Sequence, residues 1–431
     1  MDVKQKIMDA SESPEKLETL YHQDPEEFTR AFPEVFAEQP DSLILQVWHQ
    51  RLSYPAEMGR PRVENIREPE QPNLGHRMSI GIIVILTIIA GTIVRFPYFF
   101  QLNSENYLVR NLPAIVLISL AAYFIIQKPP NKKTLITLAL LAAATVLYLN
   151  LLPSYWDSDT IKLALLHMPF FLWALLGVAY VSGDWRNMDG RLAYLRYNGE
   201  LLIYGTLLVI SVGVFTGITA ALFSLVYNES AFFDLYSRAV LPYILIAVPL
   251  VATYLIQIVI GSRVRIASLL AKIFAPLFLV MVVAYLLVMI VNQQSPFQDR
   301  DFLIVFNILL VLVLGISIFS ILERSVSKKR LSMDYVNIGL VFVTLIIDII
   351  ALAAIFFRLA SYGLTPNRLA VLGANMLFFI NLALILFYYL RFLLGKGEIR
   401  SLEYAIVKFI PVYVIWVLFV AIGFPLIFHF Q

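Results

Sequence analysis

Five polar side chains stand inside long apolar stretches of the 431-residue chain: Arg95, His167, Asn307, Asp348 and Asn375. Asp348 is the only acid well inside such a stretch. A charged group at that depth costs at least about 2.5 kcal/mol, so Asp348 must be paired, protonated or facing water. Arg95 is its natural partner, with Arg358 the second candidate. An acid, a base, an imidazole and two amides at one level could line a binding cavity or a proton path. The same residues could also do no more than bond across helices, and Arg95 could extend its guanidinium toward the interface. Other chemistry lacks its residues. There is no cysteine, which removes disulfides, thiol nucleophiles, iron–sulfur ligation and zinc ribbons. The five histidines, His22, His49, His76, His167 and His429, are too scattered to ligate a metal. Only His167 lies in an apolar run, so a paired-histidine haem site lacks its second ligand. No G-x-x-x-x-G-K-[ST], G-x-S-x-G or H-E-x-x-H pattern occurs. No metal, cofactor or nucleic-acid partner is expected, and enzymatic chemistry is disfavoured.

The elements that must position these groups are membrane helices. Apolar residues make up 59% of the chain and charged residues 15%, with a mean hydropathy of +0.77. Soluble domains carry roughly 45–50% and 25%, so a bilayer must take the excess apolar surface. Spans of about 20 residues are predicted near 79–100, 109–126, 134–152, 161–182, 199–226, 238–260, 269–291, 302–322, 335–357, 369–390 and 404–428. The expected fold is an all-α polytopic bundle of about eleven spans. At about 1.5 Å of rise per residue, the five polar residues all fall roughly 18–24 Å above the cytoplasmic edge of a ~30 Å core. Prolines 97, 113, 169, 242, 249, 276 and 411 interrupt spans and free backbone carbonyls, which ions, substrates or neighbouring side chains can use. Gly213-x-x-x-Gly217 would let a neighbouring helix approach closely.

Charge divides the chain. Residues 1–78 hold nine basic and fifteen acidic residues, and the remainder twenty-four and fifteen. Within residues 1–53, Ser13-Pro14-Glu15 and Asp24-Pro25-Glu26 read as helix starts. Phe28, Phe32, Val35 and Phe36 then recur at helical spacing, as do Leu43, Val47 and Leu52. Two or three short cytosolic helices are expected, which a cytosolic protein partner could use. Residues 54–78 are proline-rich and charged, a linker composition; residues 79–431 form the bundle. Nothing near Met1 resembles a signal peptide. Setting aside the five basic residues before position 60, one side of the membrane receives twenty-one Lys and Arg and the other seven. Positive charge is retained in the cytoplasm, which places the N-terminus inside and the C-terminus outside. Tyr155 and Trp156 would mark the outer interface; Trp185, Tyr194 and Tyr197 the inner one. The longest loop is read as 183–198. Its interleaved arginines and aromatics suit anionic lipid headgroups or a fold back into the bundle, with Glu200 pairing to Arg196.

The stretch ending Tyr197-Asn198-Gly199-Glu200, followed by a Gly-rich span, resembles bacterial multi-span proteins known only as a domain of unknown function. The acidic N-terminal region with Phe28, Phe32, Trp48 and Tyr54 resembles the same group. That resemblance implies a bacterial inner-membrane protein and carries no activity. A second likeness covers eight residues. Gly91-Thr92-Ile93-Val94-Arg95-Phe96-Pro97-Tyr98 is similar to the first helix of sodium-coupled neurotransmitter and amino-acid symporters, which implies an outer-gate role for Arg95. This chain has Thr92-Ile93-Val94 where that family has a Gly-Asn-containing break.

The sequence therefore leads to a transporter or permease of an unidentified solute, with an outer-half cavity around Asp348 and Arg95. The alternative is a scaffold or signalling subunit acting through its N-terminal helices, and a lipid-handling enzyme comes third. Topology is directly testable: reporter fusions after Lys133 and Lys329 should report cytoplasm, and one after Gln431 the outside. A cytoplasmic C-terminus would require an even number of spans and remove the eleven-span arrangement.

Overall fold

A computed structural model describes residues 3–53, 76–153, 157–224, 229–260, 266–291, 300–322 and 332–430, and no strand occurs among them. The chain divides into two compact units, residues 1–67 and 68–431. The proline-rich segment predicted from position 54, the interfacial pair Tyr155 and Trp156, and the basic clusters at 263–265 and 324–330 lie outside the described residues, apart from 76–78 at the start of the first apolar helix.

The N-terminal unit contains four helices: α1 (Val3–Asp9), α2 (Pro14–Gln23), α3 (Pro25–Glu38) and α4 (Leu43–Ser53). Two begin on proline as predicted. The Asp24 side chain accepts from the Glu27 backbone N–H and caps α3. Phe28, Phe32, Val35, Leu45 and Trp48 form a core, which Ile7 and Leu17 complete from α1 and α2. Arg51 grips the Glu18 carboxylate with both prongs of its guanidinium and lies 4.3 Å from the centre of the Trp48 ring. That grip holds the Glu18 carboxyl below the ordinary carboxylate range.

The second unit is an all-α bundle, and the chain is an integral membrane protein. Its helices are α5 (His76–Val94), α6 (Phe96–Phe100), α7 (Ser104–Gln127), α8 (Lys132–Leu151), α9 (Asp159–Tyr180), α10 (Met188–Ser224), α11 (Glu229–Ala239), α12 (Leu241–Tyr254), α13 (Ile266–Val291), α14 (Arg300–Leu322), α15 (Ser332–Tyr362), α16 (Pro366–Leu393), α17 (Ile399–Leu418) and α18 (Phe424–Ile427). Among the described residues, nine helices are long and apolar enough to cross a bilayer. The shorter apolar helices Met78–Val94 and Leu241–Gln257 accompany them, so each of the eleven predicted runs falls on helix. Helix α5 packs against α7 and α12, whereas α15 packs against α13, α14 and α16. Helix α9 touches both groups, meeting α7 and α8 on one side and α16 and α17 on the other.

Prolines shape the bundle, and their consequences are handled locally. Each removes an N–H and orphans the carbonyl four residues earlier. The Tyr107 hydroxyl donates to Ile93 O, freed by Pro97, at 2.8 Å. Arg191 donates to Val407 O, freed by Pro411, at 3.1 Å, and Tyr148 to Ala421 O, freed by Pro425, at 2.7 Å. Arg110, buried, donates to Leu149 O and Leu152 O at 2.7 Å and to Pro153 O at 2.6 Å, closing the end of α8. The carbonyls freed by Pro97 and Pro411 are therefore occupied and offer nothing to an ion.

Three local expectations are corrected. The loop read at 183–198 is mostly helix, because α10 begins at Met188 and brings its arginines into the bundle. Among those arginines, Arg196 donates to Leu322 O and meets Glu403 at 3.5 Å. Tyr194 and Tyr197 are buried rather than interfacial, and their rings pack with Tyr180. Gly213 and Gly217 meet no neighbouring atom within 4 Å; the close approaches occur at Gly199 against Phe319 and Gly373 against Trp416. An N-terminal unit with its own core should be dispensable to the bundle. Removing residues 1–60 should leave a protein that inserts, elutes as a single species in detergent and melts cooperatively. Degradation or aggregation would show that the bundle depends on it.

Candidate functional site

The five polar residues do not converge on one point. Arg95 sits at the break between α5 and α6, where Pro97 ends the regular helix. Its Nη1 donates to the Tyr243 hydroxyl at 3.4 Å, and its guanidinium lies 5.2 Å from the Phe99 ring centre. Tyr243 belongs to α12 and shares its hydroxyl with Thr92 at 3.3 Å. Asp348 is on α15, which packs against a different set of helices, so the expected Arg95–Asp348 pair does not form. Arg358 does not replace Arg95, because Asp348 has no hydrogen-bond partner within the chain at either oxygen. Asn375 Nδ2 donates to Asn307 Oδ1 at 2.8 Å, joining α16 to α14. Those two amides do lie at one level, as their depths in the sequence require.

The informative groups are the buried ones that no structural duty explains. Asp348 is fully buried, with both oxygens unserved. An ionised carboxylate without donor or counter-charge is not tolerated in such surroundings. Charging it requires water, a cation or a rearranged side chain to arrive at this depth. Tyr413 on α17 lies within electrostatic reach of Asp348. The Tyr413 hydroxyl oxygen accepts from Asn381 Nδ2 at 2.9 Å, while Asn381 Oδ1 is buried without a donor. Trp416 Nε1, one helical turn along α17, is buried without an acceptor. Buried polar groups are nearly always satisfied, so three neighbouring exceptions call for a partner from outside the chain.

A cavity of about 290 Å³ lies against these groups, with His167, Asn381, Tyr413 and Trp416 in its wall. The rest of the wall is apolar, including Phe170, Phe378 and Leu314. Helices α9, α10, α14, α16 and α17 contribute to it. The fold positions its parts in specific ways. Gly373 has no side chain, and the six-membered ring of the Trp416 indole fills the space a Cβ would take there. The Pro411 break in α17 is bridged by Arg191, which fixes the helical turn carrying Tyr413. His167 Nδ1 lies 2.8 Å from Leu163 O. A carbonyl can only accept, so Nδ1 holds the proton there and the neutral ring keeps its Nε2 lone pair. Of the predicted residues, His167 lines this cavity, Asp348 is outside its lining but within electrostatic reach of Tyr413, and Asn307 with Asn375 lies nearer the α15–α16 turn. Arg95 belongs elsewhere. Asn381, Tyr413 and Trp416 were not singled out in the sequence. Their signal was a polar tip on a mid-span residue.

No protein-family model, curated protein or solved structure matches the chain. Among the described residues, no group of three or more His, Cys, Asp or Glu could hold a metal ion.

Because Asp348 and Arg95 do not meet, their substitutions should be independent. Removing an unpartnered buried acid breaks no pair, so Asp348→Leu should leave the thermal midpoint in detergent unchanged or raise it. Arg95→Leu should lower it, and the double variant should equal the sum of the two shifts. A double variant more stable than Arg95→Leu by more than Asp348→Leu alone accounts for would restore the pair.

Proposed function

We propose that this protein is a membrane carrier that binds a small, largely apolar solute in the Trp416–Tyr413–Asn381 cavity, with Asp348 as the protonatable group that couples its movement. The observation that carries this reading is the buried Asp348 carboxylate, without a partner among the described residues and within electrostatic reach of Tyr413 in the cavity wall. Intramembrane acids mark proton relays and substrate paths. A cavity near 300 Å³, mostly apolar with a few convergent polar groups, has the character of a small-molecule site. Proton release from Asp348 becomes tolerable only when water or a solute reaches it, which ties its charge state to the state of the cavity. On this reading the charge asymmetry of the loops sets a bacterial inner-membrane orientation with the N-terminus in the cytoplasm. Exposed basic residues such as Arg186 and Lys132 would then meet anionic headgroups.

The scaffold reading has one observation in its favour: the N-terminal unit exposes Leu43 and Val47, one helical turn apart, on a core of its own. The absence of cysteine separates the two readings cleanly. Ala374→Cys places a single thiol in the cavity wall, and Ile347→Cys places one in packed core as a control. In membrane vesicles, a small water-borne methanethiosulfonate should label the first and spare the second, and Asp348→Asn should change the labelling rate at Ala374→Cys. Equal silence at both positions, from both sides of the membrane, would leave a packed bundle and favour the scaffold.

A further inference from the structure

A second pocket, of about 240 Å³, lies where α15 ends and α16 begins. Its wall includes Arg358, Arg368, Asn307, Asn367 and Thr365, and no carboxylate lines it among the described residues. Arg358 Nη1 is buried and has no acceptor within the chain. Arg368 Nη1 donates to Tyr362 O at 2.8 Å and Gly363 O at 2.7 Å, which fixes its guanidinium at the pocket edge. Tyr362 O is a C-terminal carbonyl of α15, left open where the helix ends before Gly363. Asn307 uses its oxygen to accept from Asn375, so its amide nitrogen remains a donor. The nearest carboxylate the hydrogen bonds show is Asp159, which takes one Asn367 donor at 2.6 Å. The pocket also faces the N-terminal turn of the 28-residue α16, the positive end of its dipole.

We propose that this pocket is an oxyanion site, taking one phosphate or carboxylate group with Arg358 and Arg368 as its charge partners. The planar guanidinium suits such a group, and an unserved buried Nη1 supplies a charge-assisted bond at no reorganisation of the fold. The pocket has room for one tetrahedral anion, carried either free or on a lipid headgroup. The site is separate from the Asp348 cavity, and its occupation does not require transport.

The test uses the full-length protein in a neutral detergent. Isothermal titration with inorganic phosphate, against potassium chloride of equal ionic strength, should show saturable binding to the unsubstituted chain. A parallel titration with short-chain phosphatidic acid, against the matching phosphatidylcholine, reads the headgroup source. Saturation by phosphate identifies a free anion; saturation by phosphatidic acid alone identifies a lipid. Arg358→Gln should weaken binding about 10- to 100-fold, the equivalent of one charge-assisted hydrogen bond. Arg358→Lys, which keeps the charge and loses the fork, should fall between and serves where Arg358→Gln does not fold. No saturable binding of either probe, or equal binding by Arg358→Gln, would overturn the proposal.

Discussion

An unsatisfied peptide group in hydrocarbon costs several kcal/mol, and this bundle is organised around that penalty. At Pro97, Pro411 and Pro425 a particular side chain reaches across to the freed carbonyl, and the last carbonyl of α15 is served in the same way. Tyr107 serves Ile93, Arg191 serves Val407, Tyr148 serves Ala421 and Arg368 serves Tyr362. Two of these bonds join elements far apart in sequence, 216 positions for Arg191 and 273 for Tyr148. They replace part of the hydrophobic driving force, which is weak between helices that lipid already solvates.

The same accounting separates structural polar groups from functional candidates. Arg110, Arg191 and Arg196 are charged residues in or beside apolar helices, yet each donates to backbone carbonyls. Asn111 and Asn150 exchange bonds at 3.0 and 2.8 Å, and Asn307 with Asn375 does comparable work between α14 and α16. Against that standard, Asp348, Asn381 Oδ1, Trp416 Nε1 and Arg358 Nη1 are exceptions. Unserved buried atoms occur elsewhere too, at Thr87, Gln257 and Ser317, but these four residues stand in or beside two cavities. One is apolar with an acid near its wall. The other is basic and lies at a helix N-terminus. Their separation along α16, from Arg368 to Asn381, is about 20 Å of helix.

The legibility of the sequence followed the range of each interaction. Span positions, helix starts on Pro14 and Pro25, and the apolar stripe through Phe28, Phe32 and Val35 depend on neighbours a few residues away, and all appear as expected. Tyr194 and Tyr197 went wrong because an aromatic beside arginine looks alike at a headgroup boundary and in a buried stack. Gly213 and Gly217 had the spacing of a packing motif, but spacing cannot say whether a helix stands opposite.

The sequence by itself determined an all-α membrane protein, a separate acidic N-terminal unit, and the depth at which each polar side chain lies. All three follow from hydropathy, charge and a constant rise per residue. Tertiary structure alone decided which of those side chains meet. Depth is one coordinate; helix order around the bundle is another, and it placed Arg95 among α5, α7 and α12 and Asp348 among α13, α14 and α16. A residue at the right height on the wrong helix is no partner, so the acid that looked paired is instead the group the chain leaves for something else to serve.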